Sequence, residues 1–272
     1  AQGFDKEVYQ SISEHYLPSG NDSRVPKNLY SITLSLSDKI DSLVGFFGLG
    51  LIPTGSKDPY ALRRYTIGLV RLIIENKIRI KLRSIINYSL ILYKEQGFEF
   101  DITKVLKELN YFILERLKNY SKEKNIRSDI IEGSISANDI DELYNGFKKA
   151  EVLNKNISKE LGQNVVGIYK RSSNILKSEI SKNKIELSNS VDSGLFKNNF
   201  EKNLHQKISE LRKYFINVGK NQDFNESLKE LFKLKQDVDL FFDNVKVNDE
   251  NELIKKNRLE LLNLLCKSFD NF

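Results

Sequence analysis

Apolar residues recur at helical spacing through nearly the whole of this chain, while period-two alternation bounded by turn residues is almost absent. A chain patterned in this way buries its apolar surface by packing helices on one another, so an all-α fold is expected. All four prolines lie at or before Pro59, in turn or helix-starting contexts, and no later segment is forced to break by proline. Asn244 to Val247 is the one short stretch with strand-like character.

The segment after Pro59 shows how local structure follows from sequence. Asp58 is a good N-cap, because its carboxylate can accept from exposed first-turn amides, and Pro59 suits a first helical position, where no amide hydrogen is needed. Leu62, Tyr65, Leu69 and Leu72 then follow as an apolar stripe, with Arg64 and Arg71 together on another face. Polar stretches at Ser19 to Asn28, Asn125 to Asp141 and Ser181 to Asn199 read as connections. Placing a domain boundary in the second gives domains at 1–135 and 136–272, each with enough apolar content for its own core.

Forty-three basic side chains interleave with 37 acidic ones, for a formal net charge of +6. So mild and dispersed a basicity permits an RNA partner without demonstrating one, and equally suits a salt-bridged helical surface. The single cysteine, Cys266, cannot form an intrachain disulfide, and its apolar helical setting is that of a small core residue. No apolar run is long enough to span a membrane and AQGFDKEVYQ has no signal-peptide pattern, so a cytoplasmic setting is expected. The chain has no methionine and is read as a piece of something longer.

Few constellations carry chemistry. Gly45 to Gly50 followed by Gly55-Ser56-Lys57 superficially suggests a phosphate loop, but serine precedes lysine and the upstream residues read as a helix. Two readings of this stretch stand: a helix C-cap with a tight turn, or a site where Lys57 and the amides of the following helix start face RNA phosphate. Asp38 and Asp41 lie one helical turn apart, yet two carboxylates do not make a metal site, and neither His15 nor His205 is followed by aspartate. His15 is expected to be a hydrogen-bonded structural residue and His205 an exposed one on a polar helix.

On the helix containing YKRSSNIL, Val165, Tyr169, Ser172 and Leu176 share one face and Gly167, Arg171 and Asn174 another. Arginine offers a forked donor and asparagine can pair with base edges, so the second face could read a single-stranded loop or equally join an interhelix polar network. Further on, Asn257 and Arg258 interrupt the apolar face formed by Ile254, Leu261, Leu265 and Phe269. A polar pair there must be hydrogen-bonded if buried, which favours a structural role. Basic residues beside aromatics, as in Arg116, Lys118 and Tyr120 or Phe147, Lys148 and Lys149, have the types needed for RNA contact but also those of any solvated helix face.

Three segments resemble one family. SLSDKIDSLVGFFGLGLIPTGSKDPYALRR at Ser35 to Arg64, YKRSSNIL at Tyr169 to Leu176, and FFDNVKVNDENELIKKNRLELL at Phe241 to Leu262 resemble, in order, segments of the β subunit of bacterial two-subunit glycyl-tRNA synthetases. In the third the family's methionines are missing and the spacing before Asn257-Arg258 differs. The resemblance implies the end of an HD-like domain and helical body over 1–135. Over 136–272 it implies a helical-bundle anticodon-binding domain of the DALR type, similar to that of arginyl-tRNA synthetase. Asp38 would match the terminal aspartate of an HD metal site whose partners are absent, so no metal is expected in this chain.

The family's full enzyme attaches glycine to tRNA-Gly using ATP and Mg²⁺, with the adenylation site in the α subunit. This chain would then supply RNA recognition, without a catalytic site or cofactor of its own. It shows no His-Ile-Gly-His or Lys-Met-Ser-Lys-Ser signature and no class II arginine motif. As a hypothesis resting on this resemblance, Lys170, Arg171 and Asn174 would contact tRNA near the anticodon and Lys57, Arg63 and Arg64 nearer the acceptor end, with Asn257 and Arg258 structural or close to RNA. A helical interaction scaffold and an HD-type phosphohydrolase fragment are the rival readings.

Overall fold

The computed structural model describes residues 3–135, 140–183, 187–188, 190–219 and 223–272, and these are built from α-helices joined by turns. Among the described residues there is no strand, only an isolated bridge between Thr54 and Lys57. The strand-like Asn244 to Val247 is corrected here: Asn244 ends a helix, and Val245 is extended but buries its side chain without an adjoining strand. The chain divides into two compact units between Glu151 and Val152.

In the first unit, α1 (Lys6–Glu14), α2 (Leu29–Gly48), α3 (Leu62–Glu75), α4 (Leu82–Glu95), α5 (Ile102–Glu123) and α6 (Ser128–Ser134) are followed by α7 (Leu143–Asn156), in which the division falls. The expected connection from Asn125 to Asp141 is corrected in part, because α6 lies wholly within it, while 136–139 lie outside the described residues. At the centre α2 packs on α1, α3, α4 and α5. Asn28 caps it by accepting from the Ser31 amide at 2.8 Å, and Ile32, Ile40, Leu43, Val44 and Phe47 form its buried face. It ends in a Schellman arrangement: Gly50, at φ 73°, donates to Phe47 O and Leu51 donates to Phe46 O, so glycine supplies the left-handed C′ residue. Gly48 is needed for another reason, because a Cβ there would run into the Phe100 ring.

The helix expected from Pro59 starts at Leu62 instead. Ala61 is left-handed at φ 56°, and its amide donates to Asp58 O, so Pro59 and Tyr60 form a turn. Asp58 still caps α3, from further upstream: its two carboxylate oxygens accept from the Leu62 and Arg63 amides at 2.8 and 3.0 Å. Burial is also wider than the expected stripe, extending from Thr66 to Ile74, while Tyr65 is only half-buried. Arg64 is exposed, but Arg71 is enclosed, donating to Glu75 at 2.7 Å and to Gly20 O at 2.5 Å. Sharing a helix face did not give the two arginines one environment, because the 19–28 connection covers only the second.

The second unit contains α8 (Glu160–Asn183), α9 (Asn199–Val218), α10 (Phe224–Phe232), α11 (Lys235–Asn244) and α12 (Glu252–Ser268). The core gathers Leu176 from α8, Leu204, Ile208 and Leu211 from α9, Phe241 from α11, and Leu259, Leu262 and Leu265 from α12. Large side chains buried in this way stabilise by about 1.5–3 kcal/mol each. Cys266 is half-buried at the edge of this core, not within it, and burial pushes its thiol up to about 11. His205 is half-buried too, against the Phe196 ring at 5.5 Å, and burial holds its pKa below the usual value.

Lys39 on α2 is 1% exposed. Its Nζ donates to Tyr16 O at 3.0 Å and lies 5.4 Å from the centre of the Tyr65 ring. Burial lowers its pKa from 10.5 to about 8, against the opposing pull of Asp38. Below pH 8 the amine is charged in folded and unfolded states alike, so the cost of burying the charge is fully present there. Between 8 and 10.5 the folded state releases its proton first, and stability rises. Denaturant unfolding of the parent and Lys39→Met across this window is expected to show the parent gaining about 3 kcal/mol relative to the variant; parallel curves would rule this out.

Candidate nucleic-acid interface

The most open polar surface among the predicted positions is the outer side of α8. Val165, Ile168, Ser172 and Leu176 turn inward, while Gln163, Gly167, Lys170, Arg171, Asn174 and Lys177 are exposed. This follows from helical spacing, with α12, α10 and α11 packed against α8. The expected faces hold with one adjustment. Tyr169 is 41% exposed, its ring 5.4 Å from Phe269, so it sits at the rim of the inner face.

Lys170, Arg171, Asn174 and Lys177 make no hydrogen bond or ion pair with protein among the described residues. Elsewhere in this unit many lysines are tied to an acid three or four residues away, as in Lys207 with Glu210, Lys229 with Glu226, Lys233 with Glu230 and Lys235 with Asp239. No such acid is at hand on α8, because residues 161–178 contain no Asp or Glu. Lys177 was missed in the sequence reading although it lies one turn beyond Asn174 and two beyond Lys170. The acid-free stretch was the signal that could have found it.

In the first unit, Lys57, Arg63 and Arg64 come together around one turn. The Thr54 and Lys57 backbones pair with each other at 2.9 and 3.2 Å. Arg63 braces the turn, donating from Nη2 to Gly55 O at 2.6 Å. Lys57 and Arg64 are exposed. The expected use of the helix-start amides against RNA phosphate is corrected: the Leu62 and Arg63 amides are occupied by the Asp58 carboxylate. Arg116 on α5 adds a further cation, its pKa lowered by burial and then by the charge of Arg63.

Asn257 and Arg258 lie at the opposite extreme, 5% and 6% exposed. Asn257 clamps one residue of the connection before α9, donating to Asp192 O at 2.9 Å and accepting from the Asp192 amide at 2.8 Å. Arg258 donates to Glu201 at 2.6 Å, to Asp249 at 2.7 Å and to Lys246 O at 2.8 Å. The other Glu201 oxygen accepts from the Lys197 and Asn198 amides at 2.7 and 3.1 Å. Arg258 Nε and Nη1 and the Asn257 side-chain amide are thus engaged inside the protein, which gives the pair a structural role.

Asp38 is half-buried and its Oδ2 has no hydrogen-bond partner. Among the described residues no group of three or more His, Cys, Asp or Glu side chains converges to hold a metal. His15 Nδ1 is 2.6 Å from Ile12 O, within its own helical turn.

Comparison with known proteins gives this geometry a context. Residues 1–136 match the family described as glycyl-tRNA synthetase beta subunit, and residues 166–272 match the DALR anticodon binding domain, whose match begins within α8. The chain is 35% identical over 269 residues to the glycine--tRNA ligase beta subunit of Rickettsia typhi, covering 99% of this chain and 38% of that protein. It is 35% identical over 266 residues to the corresponding protein of Rickettsia prowazekii, covering 98% and 37%. The chain thus spans well under half the length of these relatives. No helix among the described residues is long and apolar enough to cross a membrane.

The two polar groups are expected to respond oppositely to mutation. Arg258→Gln strands the fully buried Glu201 carboxylate and should cost about 3–5 kcal/mol in denaturant unfolding. Arg171→Gln, at the surface, should change stability by less than about 0.5 kcal/mol. Equal effects would contradict the division.

Proposed function

Because the chain belongs to the glycyl-tRNA synthetase beta subunit family, we propose that it is the tRNA-recognition portion of such a subunit, with the outer face of α8 reading the anticodon region of tRNA-Gly. The observation that carries this reading is the set of unpaired polar side chains Lys170, Arg171, Asn174 and Lys177 on one acid-free helix face. A protein pays nothing to open such a face to an anion, since no internal ion pair must be broken. The anticodon loop presents what the face lacks: a line of phosphates and unstacked base edges.

Lysines suit the phosphates as flexible point charges, whereas asparagine can donate to and accept from one base edge. In this reading Lys57 and Arg64, with Arg63 bracing their turn, contact the backbone of the same tRNA nearer its acceptor end. The assembly would be a cytoplasmic hetero-oligomer in which an α subunit binds ATP and Mg²⁺ and forms glycyl-adenylate, while this chain positions the tRNA.

Titration with tRNA-Gly and a non-cognate tRNA at two salt concentrations tests the proposal. Phosphate contacts predict weakening as salt rises, and base readout predicts a cognate preference. Replacing Lys170 and Lys177 by Gln should weaken binding and flatten its salt dependence. Binding indifferent to salt, or unaltered in that double variant, would favour a protein-binding helical scaffold instead.

A further inference from the structure

The cations of the α8 face are not equivalent. The guanidinium carbon of Arg171 lies 4.2 Å from the centroid of the Phe242 ring, whereas no aromatic ring lies under Lys170 or Lys177 among the described contacts. Phe242 sits on α11, half-buried and packed against the core of its unit, with its ring 5.4 Å from that of the fully buried Phe241 at an interplanar angle of 72°. The platform under Arg171 is therefore anchored.

A guanidinium resting on a ring uses one of its two flat faces and keeps the other, and it is weakly enough hydrated for that second face to take an apolar, planar partner. Arg171 has no carboxylate to turn it edge-on, since it forms no ion pair among the described residues. The surface beside it is also open. Gly167, one turn earlier on α8, is exposed, and a Cβ built there would meet nothing within 4 Å.

We infer, on the basis of the RNA-recognition reading above, that Arg171 contacts a single-stranded nucleobase by stacking, and that Phe242 is the positioning residue that holds it flat for that purpose. Lys170 and Lys177 then pair with phosphates, and Asn174, three residues beyond Arg171, faces the edge of the same or the adjoining base. A phosphate contact and a stacked base differ in what they do to salt dependence. Losing the first reduces the slope of log K against log salt by about 0.7 for a single strand, while losing the second lowers affinity and leaves the slope alone.

The test is tRNA-Gly binding by the 272-residue chain across a salt series, with Arg171→Lys, Arg171→Gln, Phe242→Leu and Phe242→Tyr and the double variant Arg171→Lys/Phe242→Leu. Arg171→Lys and Phe242→Leu should each weaken binding about tenfold at unchanged slope. The double variant should be little weaker than either single one, since both remove one interaction. Phe242→Tyr, which keeps the ring, should bind like the parent. The inference is overturned if Arg171→Lys binds like the parent while Arg171→Gln loses slope, which would make Arg171 a phosphate contact. Parent protein that does not bind tRNA-Gly at any salt overturns the RNA reading itself, and this inference with it. The two Arg171 variants decide the matter even if Phe242→Leu fails to fold, because their side chain lies outside the core.

Discussion

The second unit is organised around the buried ion pair between Arg258 on α12 and Glu201 on α9. Neither charge could be left in that interior alone, since an uncompensated buried carboxylate or guanidinium costs several kcal/mol. Each also holds further partners: Glu201 takes the two amides at the start of α9, and Arg258 takes a carbonyl and a carboxylate from the segment that follows α11. One residue pair thus ties α9, α12 and the end of α11 together. Asn251 and then Arg258 also hold the Asp249 carboxyl below its usual pKa, so the acid in this cluster stays ionised. The same arrangement bears on the outer face of α8, because α11 carries the ring on which Arg171 rests.

Recognition surfaces are conspicuous for what they leave unsatisfied. A lysine paired at i,i+3 or i,i+4 gains only a few tenths of a kcal/mol, yet the pairing neutralises it toward an outside anion. α8 forgoes that small gain along its exposed side. Its inner side supplies the compensation, with Val165, Ile168 and Leu176 buried in the unit's core. Stability is secured on one side of the helix, and the charges on the other are left unpaired by acids.

In the first unit the glycine-rich turn looks in sequence like a place for an anion, but the protein fills it with its own carboxylate. Asp58 satisfies the α3 amides, Arg63 satisfies the carbonyl of Gly55, and Gly50 closes the end of α2. These contacts fix the path between two central helices, and the exposed Lys57 and Arg64 are displayed as a consequence of it. Lys39 shows the same preference for internal satisfaction, its amine held by a backbone carbonyl and an aromatic face in place of water.

The sequence by itself determined the all-α class, the helices around the glycine-rich turn and the two faces of α8, because periodicity and caps are properties of neighbouring residues and operate whatever lies across the core. It also carried the family resemblance, which rests on three ordered motifs. Only the tertiary structure decided which charges were free. Arg64 and Arg71 share a helix face and differ in burial, Asp58 caps a helix that starts three residues later than expected, and Arg258 and Arg171 are both arginines on amphipathic helices with opposite fates. The fates of the arginines depend on partners distant in sequence: the loop over Arg71, Glu201 beside Arg258, Phe242 beneath Arg171. A charge is spent or available according to what the fold brings to within about 4 Å of it, where Coulomb and hydrogen-bond energies become large, and local sequence holds no record of that distance.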